Sequence, residues 1–313
     1  MDFDQRLAIS YYKPIAAINE PHHVYLVQHQ ETKKIAIKKV LDVYNLAVYA
    51  ELYRNPVAGT PRIINYYEEA GQLTVIEEYI SGTSLQDKIR HADIAPNDML
   101  QYMLDLCAIL EQLHLHNPAI IHRDVKPSNV IITSYNRAVL LDFNAAKYHT
   151  AAKDSDTILL GTQGYAAPEQ YGFGQSSPQT DIYSMGILLK EMAEASHCQN
   201  PYIDAVTAKC TQMNPAERYQ SIGELRQALL ANGGILPYSH AGQASTGDLS
   251  GLSSKRSNAQ TQNVPDTSAK HMQFAPPGFR SKTPWKMAVA LLTYIFLAWF
   301  CLSMKVNNTF GAA

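Results

Sequence analysis

The feature that most constrains this chain is one short polar segment, IHRDVKPSNVI, at residues 121–131. It places an acid, Asp124, a lysine two positions later, Lys126, and an amide five positions later, Asn129. An aspartate can accept the proton of an incoming hydroxyl, a lysine can neutralise a moving phosphoryl group, and an asparagine oxygen can hold Mg²⁺. The spacing therefore indicates phosphoryl transfer rather than an ordinary polar turn before a strand.

The same segment resembles the catalytic loop of protein kinases, with its signature H-R-D-x-x-x-x-N. The lysine followed by a proline is similar to the serine/threonine branch of that family. The resemblance implies an α+β protein with the two-lobed kinase fold, ATP and Mg²⁺ (or Mn²⁺) as cofactors, and Ser/Thr hydroxyls of proteins as acceptors. It also implies catalytic roles for Asp124, Lys126 and Asn129.

Composition and charge argue against nucleic-acid-binding, secreted and cysteine-based metal or redox proteins. The formal net charge of the 313 residues is -2, which gives no reason to expect nucleic acid as a partner. The first ten residues contain two acids and no apolar run, so we do not expect a secretory signal. The four cysteines lack metal-like or redox-like spacing, which indicates free thiols in a reducing compartment.

Composition changes sharply near residue 232, which indicates a boundary between a catalytic domain at 1–232 and a linker at 233–284. The linker is rich in Ser, Gly, Gln, Asn, Thr and Pro, and such a segment buries too little apolar surface to fold alone. The run from Met287 to Met304 holds 18 residues without a charge, which predicts a transmembrane helix at 285–305. A buried core helix, the alternative, would find no structured neighbour there.

Charge around the predicted span sets its direction. Lys270, Arg280, Lys282 and Lys286 precede it and only Lys305 follows. The positive-inside rule then predicts a single-pass protein of the cell membrane, with the catalytic domain in the cytoplasm and residues 306–313 as a short external tail.

Periodicity places the motifs on secondary structure. Residues 33–40 and 73–80 alternate as strands do, whereas apolar residues recur at helical spacing over 99–115. About the first 80 residues are rich in strands and the following ones are rich in helices. This pattern agrees with a small strand-rich lobe followed by a larger helical lobe.

The segment at residues 35–38 resembles the V-A-I-K strand of kinases, which implies that Lys38 binds the ATP phosphates. The family holds this lysine with a helix glutamate about ten residues before a proline. Glu51 fits that position ahead of Pro61, although it could instead be a solvated helix glutamate. The resemblance assigns four further residues to the nucleotide site: Val24, Ala36, Glu78 and Ile80.

Residues 130–144 read as a hairpin that ends in a segment resembling the magnesium-binding D-F-G motif. The resemblance implies that Asp142 and Asn129 hold the metal and that Phe143 is a hydrophobic anchor. Asn144 replaces the glycine, a mild change because asparagine also visits positive φ.

Residues 161–171 resemble the end of a kinase activation segment. The resemblance implies that Thr162 lies beside the catalytic aspartate and lysine. It implies an ion pair between Glu169 and Arg218, and it implies that Asp181 holds the backbone of the catalytic loop.

For Arg123, just before the catalytic aspartate, the resemblance implies regulation by phosphorylation, because in such kinases a phosphate on the activation segment pairs with this arginine. Ser155 and Thr157 are the candidate phosphosites, and Thr162 belongs to the same regulatory segment. Such phosphorylation could occur in trans within a self-associated pair.

Two departures from the family remain. The glycine-rich loop is missing, because its three positions hold Ala17, Asn19 and His22, which should weaken or reshape nucleotide binding. The C-terminal lobe is short between Gly186 and Arg218. The overall layout resembles membrane-anchored bacterial kinases of the eukaryotic type. The alternative is a pseudokinase that acts as a nucleotide-binding or scaffolding module. Against it, the sequence contains every polar residue that the kinase motifs require.

Overall fold

The computed structural model describes residues 3–149, 162–172 and 174–231. The N-terminal part contains an antiparallel five-stranded sheet with strand order β1-β2-β3-β5-β4 and two short helices. Its elements are α1 (Phe3–Ser10), β1 (Tyr12–Asn19), β2 (Val24–His29), β3 (Ile35–Leu41), α2 (Leu46–Arg54), β4 (Ile63–Glu69) and β5 (Gln72–Glu78).

The C-terminal part is mainly helical and carries two small sheets, one of three strands and one of two. The strand-rich and helix-rich halves agree with the predicted two-lobed fold. The elements are β6 (Gly82–Ser84), α3 (Leu85–Arg90), α4 (Pro96–His114), β7 (Ile120–Ile121), β8 (Val130–Thr133), β9 (Ala138–Leu140), β10 (Lys147–Tyr148), α5 (Pro178–Ala195), α6 (Pro201–Cys210) and α7 (Ile222–Ala231).

The two predicted strands of the N-terminal sheet are confirmed as β3 and β5, and they lie side by side. Their register pairs Ile37 with Glu77, and Lys39 with Val75. Because side chains alternate between the faces of a sheet, Lys39 shares a face with Glu77. Lys38 shares the opposite face with Ala36.

The face that carries Ala36 is covered from outside. Ala36 is fully buried in a small cluster with Val27, Ile76 and Ile9, the last from α1. The other face of the sheet contributes to the main core, because Leu41 of β3 packs there with residues of both parts. Lys39, two positions before Leu41, therefore lies on the inward side of the sheet.

The predicted helix over residues 99–115 is confirmed as α4, which begins at a proline suited to the first helical turn. Its buried residues recur at three- and four-residue intervals and form the centre of the core. They include Met99, Met103, Leu106, Leu110 and Leu113. Because α4 ends six residues before β7, it delivers the chain directly to the catalytic segment.

The predicted shortness of the C-terminal lobe is confirmed by the short connection between two of its helices. Residues 196–200 alone connect α5 to α6. Gly186 lies where these helices meet, and a Cβ added there would overlap the side chain of Cys210. The described helices therefore pack tightly behind the catalytic segment.

Several predictions concern parts of the chain outside the described residues. These are the linker at 233–284, the membrane span at 285–305, the tail at 306–313, and the phosphosites Ser155 and Thr157. Within residues 3–149, 162–172 and 174–231, no helix is long and apolar enough to cross a bilayer.

Candidate active site

The catalytic segment between β7 and β8 is held by one buried carboxylate. The side chain of Asp181, in the first turn of α5, accepts hydrogen bonds from the backbone N–H groups of His122 (2.9 Å) and Arg123 (2.8 Å). Arg123 has a φ of 69°, an uncommon conformation for a side-chain-bearing residue. The predicted role of Asp181 is confirmed, and its two hydrogen bonds stabilise this backbone.

Asp181 has a second partner that the sequence analysis missed. Nε2 of His114, the last residue of α4, lies 2.8 Å from Oδ2 of Asp181. Burial alone would raise the pKa of Asp181, but His114 and the backbone N–H of Arg123 outweigh burial and lower it. The carboxylate therefore stays ionised in the interior. A histidine that ends a buried helix just before the catalytic loop was the available signal.

Asp124 lies in a closed triangle of hydrogen bonds. The hydroxyl of Thr162 donates to Oδ1 of Asp124 at 2.7 Å, and Lys126 Nζ lies 2.7 Å from Oδ2. Lys126 Nζ also donates to the Thr162 hydroxyl at 2.7 Å. The predicted location of Thr162 beside the aspartate and the lysine is confirmed.

The charge state of Asp124 suits a proton acceptor. Burial alone would raise the pKa of Asp124, but hydrogen bonds from Lys126 and Thr162 lower it below its ordinary value. A carboxylate with a lowered pKa is ionised at neutral pH, so its oxygens can accept further hydrogen bonds.

Asn129 and Asp142 present oxygens that fit a divalent cation. The Asn129 side-chain nitrogen donates to the carbonyl oxygen and to Oδ2 of Asp124, both at 2.9 Å. The side-chain oxygen of Asn129 is therefore available to bind a cation. Oδ1 of Asp142 is buried and makes no hydrogen bond. Carboxylate and amide oxygens are the ligands that Mg²⁺ prefers. The two residues therefore fit the predicted magnesium site.

Asp124, Lys126, Asp142 and Thr162 face one cavity of about 390 Å³ between the two lobes. Acids and a lysine from the C-terminal part meet apolar residues of β3 and a turn of the N-terminal sheet there. The lining includes Asp124, Lys126, Asp142, Thr162, Leu41, Pro21, His22 and His23.

The lysine that reaches this region is Lys39. Its Nζ lies 2.8 Å from Oε1 of Glu77 and 3.5 Å from Oδ1 of Asp142, and the Lys39 and Glu77 side chains are each less than a tenth exposed. Lys38 lies on the opposite face of β3. The prediction that Lys38 pairs with Glu51 is therefore wrong, because alternation along the strand directs the neighbouring lysine inward.

The ionic state of this buried group follows from its neighbours. Burial alone would lower the pKa of Lys39, but Glu77 and Asp142 together raise it well above the ordinary range. Burial raises the pKa of Glu77, and Lys39 opposes that shift. Two carboxylates thus compete for one ammonium group.

Glu51, the predicted partner, faces elsewhere. Its Oε1 accepts a hydrogen bond from Asn55 at 2.8 Å and lies 3.5 Å from Nδ1 of His116. The buried face of α2 carries Val48, Tyr49 and Leu52 instead. Glu51 is two residues from Tyr49 and therefore about 200° away around the helix axis.

Tyr49 makes the contact between α2 and the D-F-N segment, residues 142–144, and the sequence analysis missed it. The Tyr49 hydroxyl donates to Oδ1 of Asn144 at 2.7 Å, and Tyr49 is only 1% exposed. Asn144 is absent from the positive-φ residues, whereas Asp142 has a φ of 67°. The expected reason for asparagine there is therefore wrong, since its side chain serves as a hydrogen-bond acceptor.

The hydrophobic anchor of that segment is confirmed. Phe143 is 5% exposed, and its ring packs edge-on against the ring of His122 at a centroid distance of 5.1 Å. His122 is fully buried, and its Nε2 lies 3.1 Å from the carbonyl oxygen of Leu141. The catalytic loop and the D-F-N segment are thereby joined.

A short turn stands where the glycine-rich loop was expected. Residues 20–22 form a single 3-10 turn between β1 and β2, and His23 follows with a φ of 51°. The pairing of β1 with β2 shifts register between Ala17 and Asn19. This turn brings His22 and His23 to the cavity instead of glycines.

Other predicted nucleotide contacts differ in their surroundings. Val24 is paired with Lys39 and so shares its inward face. Ala36 was predicted to contact the nucleotide, but it lies in the outer cluster, so this prediction is wrong. Glu78 is the last residue of β5, and its backbone N–H donates a hydrogen bond to the carbonyl oxygen of Arg62. Ile80 follows two positions later. Contact of Glu78 and Ile80 with a nucleotide stays a prediction.

The predicted ion pair between Glu169 and Arg218 is confirmed. Arg218 donates two parallel hydrogen bonds to the Glu169 carboxylate, at 2.8 and 2.9 Å, and its side chain is fully buried. The Thr180 hydroxyl donates to the same carboxylate at 2.8 Å. The pair therefore ties the end of the activation segment to α5 and to the segment before α7.

Comparison with known proteins agrees with this geometry. The protein kinase domain family matches residues 22–227. A serine/threonine-protein kinase PknB from Mycolicibacterium smegmatis is 28% identical over 71% of this chain and 40% of its own length. A serine/threonine-protein kinase D from Synechocystis is 32% identical over 54% of this chain and 38% of its own length.

A third relative comes from a plant. Mitogen-activated protein kinase kinase 1 of Arabidopsis thaliana is 29% identical over 57% of this chain and 53% of its own length. This chain thus spans between about two fifths and about half of these relatives. The region that matches the family includes the catalytic loop, the D-F-N segment and the Glu169–Arg218 pair. The chain therefore belongs to the protein kinase family, with bacterial serine/threonine kinases among its relatives.

Proposed function

We propose that this chain is an ATP-dependent protein serine/threonine kinase that phosphorylates Ser or Thr hydroxyls of proteins, including its own. The observation that carries the proposal is the hydrogen-bonded triangle of Asp124, Lys126 and Thr162, beside the oxygens of Asn129 and Asp142. A positioned base, a cation and two metal-compatible oxygens are the groups that phosphoryl transfer requires.

Asp124 is the proton acceptor in this proposal. Its carboxylate is ionised and its oxygens already orient three donors, which leaves lone pairs for an incoming hydroxyl. Lys126 contributes positive charge next to the reacting centre, where a partly desolvated site strengthens its effect. Thr162 holds the lysine and the aspartate at a fixed separation.

Bound Mg²⁺-ATP would supply the γ-phosphoryl group and a divalent cation that offsets its charge. Asn129 and Asp142 are the residues that would hold the cation. Lys39, rather than the predicted Lys38, is the lysine that would hold the phosphates, because it lies on the inward face within 3.5 Å of Asp142. Val24, Glu78 and Ile80 remain proposed contacts for the nucleotide.

Three features of the whole protein are proposed from sequence alone. The uncharged run at residues 287–304 and its flanking basic residues support a membrane anchor with a cytoplasmic catalytic domain. Arg123 supports phosphorylation of Ser155 or Thr157 as a switch, with self-association as one route to it. Protein substrates follow from the family.

The experiment is a radiolabelled ATP assay on the full chain with Mg²⁺ or Mn²⁺. We expect autophosphorylation, and we expect Asp124→Asn to lower it by roughly 10³-fold, since a positioned base contributes about 10² to 10⁴. The Asn side chain is isosteric, so the fold should be retained, with a lower melting temperature because the charge that Lys126 and Thr162 stabilise is lost. An ATP-dependent thermal shift without phosphate transfer would favour the pseudokinase alternative instead.

A further inference from the structure

The carboxylate that holds the phosphate lysine comes from the sheet and not from helix α2. We propose that Glu77 is the positioning residue for Lys39, an inference that rests on the proposed kinase function. The motivating observation is a buried ion pair of 2.8 Å between two neighbouring strands.

The backbone around Glu77 is fixed from both sides. Glu77 lies in β5, whose residues pair with β3 on one edge and β4 on the other, and Glu77 itself pairs with Ile37 and Ile63. Both its strand and that of Lys39 belong to one sheet. A lysine held from within one sheet moves only with that sheet.

Helix α2 makes a different contact. Glu51 faces His116, whereas Tyr49 donates its hydrogen bond to Asn144 of the D-F-N segment. A displacement of α2 would therefore break the Tyr49–Asn144 bond but leave Lys39 and Glu77 paired. The Lys39–Glu77 pair thus includes no side chain of α2, whereas the D-F-N segment is hydrogen-bonded to that helix.

Glu77 also decides how strongly Lys39 interacts with Asp142. Lys39 Nζ is 2.8 Å from Glu77 but 3.5 Å from Asp142 Oδ1, and that oxygen makes no hydrogen bond. Without the Glu77 charge, the ammonium group would pair with Asp142 alone. The lysine would then compete with a cation for the carboxylate that the proposed metal site needs.

The test compares Glu77→Gln with Glu51→Gln in the full chain. Autophosphorylation is measured against Mg²⁺-ATP concentration and, separately, against free Mg²⁺. We expect Glu77→Gln to raise KM for Mg²⁺-ATP by about tenfold and to raise the Mg²⁺ needed for half-maximal rate, with a smaller fall in kcat. We expect Glu51→Gln to stay within about twofold of wild type on each measure.

A double-mutant cycle separates positioning from a purely structural role. Because Glu77 acts through Lys39, adding Glu77→Gln to Lys39→Met should change activity no further, whereas independent structural defects would multiply. If Glu77→Gln does not fold, Glu77→Asp replaces it, since the shorter side chain keeps a charge near Lys39 but lengthens the 2.8 Å contact and should raise KM in the same direction.

Two results would overturn the inference: unchanged KM and Mg²⁺ dependence in Glu77→Gln, or an equal loss in Glu51→Gln. Failure of the kinase function itself would look different, because the wild-type chain would then transfer no phosphate. In that case the role of Glu77 is tested by ATP binding alone, measured as the ATP-induced rise in melting temperature of wild type and of Glu77→Gln. Equal rises in the two proteins would reject Glu77 as the positioning residue for Lys39.

Discussion

The catalytic loop and the N-terminal sheet meet at one cavity, yet they are organised in different ways. In the loop, Lys126 and Asn129 contact Asp124 within five positions of one another. Thr162 and Asp181, from later segments, hold the Asp124 carboxylate and the loop backbone. In the sheet, Lys39 depends on Glu77, 38 positions later in the chain and in register on the neighbouring strand. Contacts centred on one short motif are thus set against a contact that depends on strand register.

The difference has consequences for how the two regions respond to change. Loop residues are constrained by bonds to backbone groups, so a substitution there loses a defined contact. A strand residue is constrained by the face on which it falls, and a shift of one position reverses that face. This explains why Lys38 and Lys39, adjacent and chemically identical, have different surroundings.

The largest stability effect is expected in the helical region, at the pair between Glu169 and Arg218. Glu169→Gln removes the charge that the fully buried Arg218 needs, and such losses cost about 3 to 5 kcal/mol. Urea unfolding measures the change. The matched control is Glu111→Gln, which breaks an exposed pair with Arg226 and should cost less than about 1 kcal/mol. Equal losses in both variants would contradict the account.

Asp181 should give a smaller effect that depends on pH. Its folded-state pKa is lowered below the unfolded value of about 3.9, so its contribution is present above that pH and is lost as the pH falls through the folded pKa. Asp181→Asn should therefore cost about 2 kcal/mol at pH 7, the scale of hydrogen bonds to a charged group.

The measurement is the melting temperature of both proteins between pH 7 and pH 3. The gap between wild type and Asp181→Asn should narrow below about pH 4, where the wild-type carboxylate begins to lose its advantage. A gap that stays constant over this range would show that the Asp181 charge does not hold the loop.

The smallest expected effect is at the contact between α2 and the D-F-N segment. Tyr49→Phe removes one neutral hydrogen bond to Asn144 and should cost about 1 kcal/mol. Tyr53→Phe on the same helix is the control, because Tyr53 is 39% exposed, and such changes usually stay within about 0.5 kcal/mol. Chemical denaturation of the two variants sharpens the comparison; equal stabilities would mean that this contact contributes nothing.

The contacts within the loop could be predicted because the information for them is local. The spacing of Asp124, Lys126 and Asn129 determines their contacts once the backbone is held, and Asp181 and Arg218 lie in segments that resemble the family closely. His114 was missed because it lies outside the motifs that resemble the family.

The sheet and α2 were predicted less well. Their inward-facing residues were chosen from family motifs rather than from the periodicity of apolar residues along each element. Leu73, Val75 and Glu77 share one face of β5, and an acid in such an apolar row indicates a buried cationic partner. Lys39 and Leu41 form the matching row in β3. Similarly, the helical spacing of Val48, Tyr49 and Leu52 marks the inner face of α2 and leaves Glu51 outside it.

The central claim is that Lys39, held by Glu77, is the phosphate-binding lysine, and Lys39→Met against Lys38→Met tests it most directly. The measurement is kcat/KM for Mg²⁺-ATP in autophosphorylation by the full chain. We predict a loss of roughly 10² to 10³-fold for Lys39→Met, the scale of removing one charge-stabilising group, and less than about threefold for Lys38→Met. A large loss in Lys38→Met with near wild-type activity in Lys39→Met would contradict the account.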